Sequence, residues 1–131
     1  MDYNWKDYTV LVTEDDEISY KYMELVLSRK TNINIIWAVN GSQAVEYCRI
    51  YEYIDIVLMD IQLPDIDGYE AARQIKSFRP NLPIIIQSAS TFYDECEKCI
   101  ETGCDAYVSK PIDLSVLFSK INNLLYKVPT S

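Results

Sequence analysis

A chain of 131 residues with 49% apolar and 24% charged side chains has room for one buried core and too little length for two ordinary domains. Lys and Arg number 12 against 20 Asp and Glu, so the formal charge is −8, and a surface that negative repels nucleic-acid phosphates and anionic lipid. No apolar run approaches the roughly 18–20 residues of a membrane helix. The opening Met1-Asp2-Tyr3-Asn4-Trp5-Lys6-Asp7 lacks the basic-then-apolar order of a signal peptide, which leaves the cytoplasm as the expected compartment.

In chain order, Tyr8–Thr13 is the first short, β-branched, nearly continuous apolar run, the pattern of a strand covered on both faces. Ile18, Tyr22, Leu25 and Val26 then recur at i, i+4, i+7 and i+8, predicting a helix that buries this stripe, with Asp16 available as its cap. Ile33–Ala38 is the second strand, and the turn Asn40-Gly41-Ser42 opens a helix marked by Ala44, Val45 and Cys48. Ile56–Met59 is the third strand. Tyr69, Ala72 and Ile75 mark a helix ended by Arg79-Pro80, because the residue before a proline avoids helical backbone. Ile84–Gln87 is the fourth strand, followed by a helix from about Tyr93 to Thr102 that stops at Gly103. Ala106–Ser109 is the fifth strand, and Leu114, Leu117, Ile121 and Leu124 form the last helical stripe, after Pro111 and a capping Asp113.

The cysteines are Cys48, Cys96, Cys99 and Cys104. Cys96 and Cys99 make a C-x-x-C, yet the chain has no His and no second C-x-x-C to complete a zinc site. A thioredoxin-type site would open a helix after a strand, whereas this motif falls inside a helical stretch. Ordinary half-buried thiols are the expectation.

Strand-helix order repeated five times predicts an α/β fold, a parallel sheet with helices on both faces. The expected architecture is a flavodoxin-like (βα)5 sandwich of strand order 2-1-3-4-5, with its ligand site at the carboxyl ends of the first and third strands. No linker, repeat or low-complexity segment interrupts it. One domain over 1–131, with a core of about 8–127 and no room for an effector domain, is expected.

Polar residues collect where such a sheet exposes its carboxyl ends. The first strand runs into Glu14-Asp15-Asp16-Glu17, the third into Asp60, the fourth into Ser88-Ala89 and the fifth into Ser109-Lys110-Pro111. Clustered carboxylates repel unless a cation compensates. Oxygen ligands with room for water and phosphate suit Mg²⁺. A carboxylate beside that ion is a competent nucleophile for a phosphoryl group, whose oxygens Lys110 and Ser88 would hold. Asp60 ends an apolar strand, where an unpaired charge is costly. Asp16, Glu17, Asp65 and Asp67 are read instead as helix caps or solvated loop residues.

Four blocks in order resemble the receiver domain of two-component response regulators: Val10 to Glu17, Leu58 to Gly68, Ile86-Gln87-Ser88-Ala89 and Tyr107-Val108-Ser109-Lys110-Pro111. The resemblance spans about Tyr8 to Tyr126, and together the blocks are specific where each alone is weak. It implies Asp60 as the phosphoacceptor and a Mg²⁺ site of Asp15, Asp60 and the Gln62 backbone carbonyl, with Glu14 acting through a water. It also implies Ser88 as the switch hydroxyl and Tyr107 as the aromatic that turns inward with it. Lys110 would contact phosphate, Pro111 would follow a cis peptide, and Gly68 would close the loop beyond the third strand. Glu14 stands where Asp is commoner and Thr13 where many relatives are apolar. A register shift within the acidic run would promote Asp16 over Glu14.

The implied partners are a sensor histidine kinase or histidine phosphotransfer protein. A downstream protein is expected on the face of the fourth helix, fifth strand and last helix. No nucleic acid or membrane is expected, and the assembly is a monomer or a phosphorylation-dependent homodimer. The domain would be a self-phosphorylating switch rather than an ordinary enzyme, either stand-alone or part of a hybrid kinase. The alternative is a Mg²⁺-dependent aspartyl-phosphate phosphohydrolase; those enzymes generally carry an acid two residues after the nucleophile, where this chain has Gln62.

Overall fold

Five parallel strands lie in the order β2-β1-β3-β4-β5 in a computed structural model that describes residues 3–89 and 101–126. The strands are β1 (Thr9–Thr13), β2 (Asn34–Ala38), β3 (Ile56–Asp60), β4 (Ile84–Ser88) and β5 (Ala106–Ser109). Four helices are described: α1 (Glu17–Lys30), α2 (Gly41–Ile50), α3 (Gly68–Phe78) and α4 (Leu114–Leu125). The strand order is the expected flavodoxin-like one. Most of the helix expected over Tyr93–Thr102 lies outside the described residues, as do Cys96 and Cys99. Gly103, expected to stop it, has a left-handed φ of +79°, a conformation that glycine adopts without a Cβ penalty.

The sheet separates two apolar layers. Leu11, Val57, Met59, Ile84 and Ile86 pack on one face with Ala44, Cys48, Ala72 and Ile75 of α2 and α3. Val10, Val12, Ile56, Leu58 and Ile85 pack on the other with Met23 and Leu27 of α1 and Leu117 and Ile121 of α4. Successive side chains of a strand point to opposite faces, so the continuous apolar runs of β1, β3 and β4 are what double coverage requires. Every residue of these three strands is buried.

Helix α1 buries a stripe that shares only Val26, partly buried against the core, with the expected one. Tyr20, Met23 and Leu27 face the sheet, whereas Ile18, Tyr22 and Leu25 are 79%, 54% and 49% exposed. The helix is apolar on two opposite sides, so periodicity alone selects neither. Aromatic contact decides it: Tyr20 stacks on Trp37 of β2 with ring centroids 4.1 Å apart, and its hydroxyl donates to Glu24 at 3.0 Å.

Asp16, Asn40, Asp67 and Asp113 cap the four helices by accepting amide hydrogen bonds from their first turns. Arg79 closes the other end of α2, donating to the carbonyls of Cys48, Tyr51, Glu52 and Ile54. A segment ahead of β1 fastens α1 to α4. Tyr3 bridges to Thr31, Trp5 is 1% exposed against Phe118, and the Trp5 indole donates to Asn122 at 3.1 Å. Cys48 is buried and free, with burial pushing its thiol up to about 12 against the opposing pull of Arg79. Cys104 is disulfide-bonded and so departs from the expected free thiol.

Candidate functional site

Three strands deliver the polar residues to one end of the sheet. β1 and β3 are paired through Thr13↔Met59, so Glu14 and Asp15 leave one central strand beside the point where Asp60 ends the other. Oxygens of Glu14, Asp15 and Asp60 all lie within 4.8 Å of one another. Glu14 is 8% and Asp60 5% exposed, while Asp15 faces solvent. Lys110 reaches in from beyond β5, and its Nζ donates to Asp60 Oδ1 at 3.1 Å.

The backbone holds each of these groups in place. Glu14 N–H donates to Ala38 O at 3.0 Å, and the Trp37 indole N–H donates to Glu14 O at 2.7 Å. Lys110 N–H donates to Ser88 O at 2.8 Å, extending the β4–β5 pairing to the lysine. The Lys110–Pro111 peptide is cis, as the resemblance implies. Gly68 N–H donates to Ile61 O at 2.9 Å, and a Cβ at Gly68 would stand 2.2 Å from Asp60 O. Only glycine permits that approach, so the loop after β3 closes tightly against the Asp60 carbonyl.

The acidic run divides cleanly. Asp16 takes the cap position, its carboxylate accepting from Ser19 N–H and Oγ, and the Ser19 hydroxyl holds it below its ordinary range. Glu17 pairs on the surface with Lys21. Asp16 therefore does not displace Glu14 from the cluster. Asp67 caps α3, and Asp65 reaches across to accept from the Gly41 and Ser42 amides at the start of α2. Burial opposes its charge, yet the Ser42 hydroxyl and amide and the Ile66 and Gly41 amides hold the Asp65 carboxyl well below its ordinary range.

Electrostatics at the cluster are unfavourable to two charges. Burial first, then the neighbouring Asp60 charge, push the Glu14 carboxyl up to about 7, while the Asp16 amide and the Lys110 ammonium pull the other way. A hard dication would relieve that conflict, and an all-oxygen donor set with one solvent-facing carboxylate suits Mg²⁺ better than a thiophilic metal. The acids present therefore fit the ion.

The remaining sequence-predicted residues lie around this cluster. Ser88 ends β4, 4% exposed and registered with Ser109. Tyr107 on β5, registered with Ile86, is half-buried against the α2–α3 core. Gln62 is exposed two residues beyond β3. Beside Glu14 and Lys110 opens a cleft of about 500 Å³, walled by Val12, Ile18, Tyr22, Met23, Pro111 and Ile112. Sequence reasoning missed Trp37, whose only signal was a large indole at the end of an edge strand, one residue before the turn into α2.

Comparison with known proteins agrees with this fold. Residues 10–122 match the response regulator receiver domain family. A cyclic di-GMP phosphodiesterase of Thermotoga maritima is 37% identical over 120 residues, which are 89% of this chain but 31% of that protein. A response regulator structure from Chloroflexus aurantiacus superposes with a TM-score of 0.83 at 27% identity, covering 93% of this chain and all of that one. The receiver domain of Ssk1 of Saccharomyces cerevisiae, solved with the histidine phosphotransfer protein Ypd1, superposes with a TM-score of 0.82 at 28% identity, over 92% and 90% of the two chains. Among the described residues, no helix is long and apolar enough to cross a membrane. With its strand order, family match and structural likeness in agreement, the chain belongs to the response regulator receiver domains of two-component phosphorelay signalling.

Proposed function

We propose that this chain is a single receiver domain, with a core over about 8–127, in which Asp60 accepts a phosphoryl group from a phosphohistidine. The observation that carries the reading is the meeting of Glu14, Asp15 and Asp60 oxygens within 4.8 Å, with Lys110 Nζ 3.1 Å from Asp60. Mg²⁺, when bound, would offset the charge on the phosphoryl oxygens. Asp15, Asp60 and the Gln62 carbonyl would hold it directly and Glu14 through a water. An Asp60 carboxylate oxygen attacks phosphorus, the phosphorus–nitrogen bond breaks, and the departing imidazole keeps the electron pair and takes up a proton. Lys110 moves from Asp60 towards the new phosphoryl oxygens, and Ser88 donates to another.

The donor is a histidine kinase or a histidine phosphotransfer protein. The apolar cleft fits a donor helix: Ile18 and Tyr22 stand exposed on one wall and Pro111 and Ile112 form the other, next to Lys110. Phosphorylation draws the Ser88 loop inward and gives Tyr107 room to turn. That change would be read by a downstream protein on the face of β5, α4 and the segment before β5. Output of this kind is conformational, which sets the domain apart from an ordinary enzyme.

Intact-mass measurement with a small-molecule phosphodonor, with and without Mg²⁺, tests the reading. The expected result is a stable Mg²⁺-dependent gain of one phosphoryl group, absent in Asp60→Asn. Phosphodonor turnover without accumulation would favour a phosphohydrolase, and an undiminished gain in Asp60→Asn would overturn the assignment.

A further inference from the structure

Packing on Tyr20 explains the Trp37 ring, but neither that packing nor the phosphoacceptor chemistry explains why its indole N–H donates to the Glu14 carbonyl. The β1–β2 ladder ends at Thr13↔Ala38, where β2 itself ends. Glu14 nevertheless remains pinned to β2 at both ends of its backbone. Its N–H donates to Ala38 O at 3.0 Å, and its carbonyl accepts from the Trp37 indole at 2.7 Å. Past the end of the ladder, the indole N–H is the donor that holds the Glu14 carbonyl. Its plane is fixed in turn by Tyr20 of α1, stacked at 4.1 Å with 3° between the rings.

The Glu14 carbonyl belongs to the peptide that joins Glu14 to Asp15, so its orientation sets the directions in which both side chains leave the backbone. These two acids must converge with Asp60 despite mutual repulsion, and a free peptide would rotate to separate them. We propose that Trp37 is a positioning residue for the metal site, locking the Glu14–Asp15 peptide so that both carboxylates stay turned towards Asp60. The inference rests on the reading of the acid cluster as a Mg²⁺ site. Outer groups that orient metal ligands are worth about 10–100-fold in metal affinity. A single neutral donor acting on the backbone between two ligands belongs at the lower end.

The test is Mg²⁺ titration by calorimetry of the parent, Trp37→Phe and Trp5→Phe, with melting temperatures measured in chelator. Trp37→Phe keeps an aromatic ring against Tyr20 while removing the N–H donor together with part of the indole's bulk. It should bind Mg²⁺ about tenfold more weakly. Trp5→Phe, ahead of β1 at the other end of the sheet, loses a comparable indole bond to Asn122 of α4. It should lower the melting temperature and leave Mg²⁺ affinity unchanged. Indole emission should respond to Mg²⁺ in the parent and in Trp5→Phe but not in Trp37→Phe. Equal Mg²⁺ affinity in the parent and Trp37→Phe overturns the positioning role and leaves the metal site standing. A parent that binds no Mg²⁺ overturns the site reading and this role with it. Should Trp37→Phe fail to fold, Tyr20→Leu decides: it removes the stack, retains the indole, and should weaken Mg²⁺ binding, unchanged affinity again being the refuting result.

Discussion

Raising the pH of the metal-free protein from 5 to 8.5 ionises Glu14 beside Asp60, and the structure sets the size of the penalty. A carboxyl ordinarily near 4.5 is pushed to about 7 in the folded protein, so its proton is bound more tightly there than in the unfolded chain. The stabilisation from that proton is complete below pH 4.5 and is lost as pH rises through about 7. At about 1.36 kcal/mol for each tenfold difference in proton affinity, the full loss is on the order of 3 kcal/mol. Burial is the larger cause of that penalty, and the Asp60 charge within 4.8 Å adds to it, with Lys110 offsetting part. No histidine titrates in this window, since the chain has none, and among the described residues Glu14 is the side chain pushed into it. Urea unfolding in chelator should therefore show stability falling by about 2–3 kcal/mol between pH 5 and 8.5. Glu14→Gln should flatten the curve, and saturating Mg²⁺ should reverse the fall by binding the folded state alone. A metal-free Glu14→Gln profile as steep as the parent's would refute the reasoning, because the slope would then belong to another group.

Gly68→Ala should cost more than about 2 kcal/mol and weaken Mg²⁺ binding, since its Cβ meets the Asp60 carbonyl at 2.2 Å; urea unfolding and calorimetry together check it. Gly103→Ala, strained only through its φ of +79°, should cost about 1–2 kcal/mol and leave Mg²⁺ affinity alone. Ile18→Glu places a charge on the exposed wall of the cleft. Transfer from a histidine phosphotransfer protein should slow at least tenfold, a barrier increase of about 1.4 kcal/mol, while labelling by a small-molecule donor stays unchanged. Arg79→Leu strips donors from four carbonyls at the end of α2 and should lower stability by about 1–3 kcal/mol in urea, with phosphorylation intact.

The sheet was legible in the sequence because strand-helix alternation demands parallel strands covered on both faces, and its central strands announce themselves by unbroken apolar runs. β3 reads Ile56-Val57-Leu58-Met59 up to Asp60, and every residue of it is buried. The convergence of Glu14, Asp15 and Asp60 follows from that topology, because the central strands β1 and β3 end side by side, while Lys110 reaches in from beyond the edge strand β5. Cap residues were legible too, since Asp16 and Asp113 precede periodic stripes. The α1 face was not. Ile18, Tyr22 and Leu25 are as apolar as Tyr20, Met23 and Leu27, and a helix with two apolar sides carries no internal sign of which one the sheet covers. The choice rested on Trp37, a neighbour in space from another strand. The Arg79 side chain was missed for the same reason, and Asp65 was read as a cap or loop residue without its helix being named: each satisfies backbone groups of an element distant in sequence, so no local pattern marks the partner.

The same topology explains why the site can hold its repulsion. Thr13 and Met59 are paired within β1 and β3, each strand being flanked on both sides by another. Acids at the ends of two such strands cannot drift apart without breaking ladder hydrogen bonds and uncovering apolar side chains on both faces of the sheet. At roughly 25 cal/mol per Å² of apolar surface, exposing even one buried Leu or Ile costs about 1.5–3 kcal/mol. That is comparable with the repulsion that separation would relieve, and a shift of β1 or β3 would expose several such residues. An edge strand would give way more easily: β2 is half-exposed along most of its length. Placing the acids on central strands is therefore what allows a destabilising cluster to persist until a cation and a phosphoryl group use it. Glu14 and Asp15, one step past the end of the ladder, lack that restraint on their shared peptide, and Trp37 stands where it would be supplied.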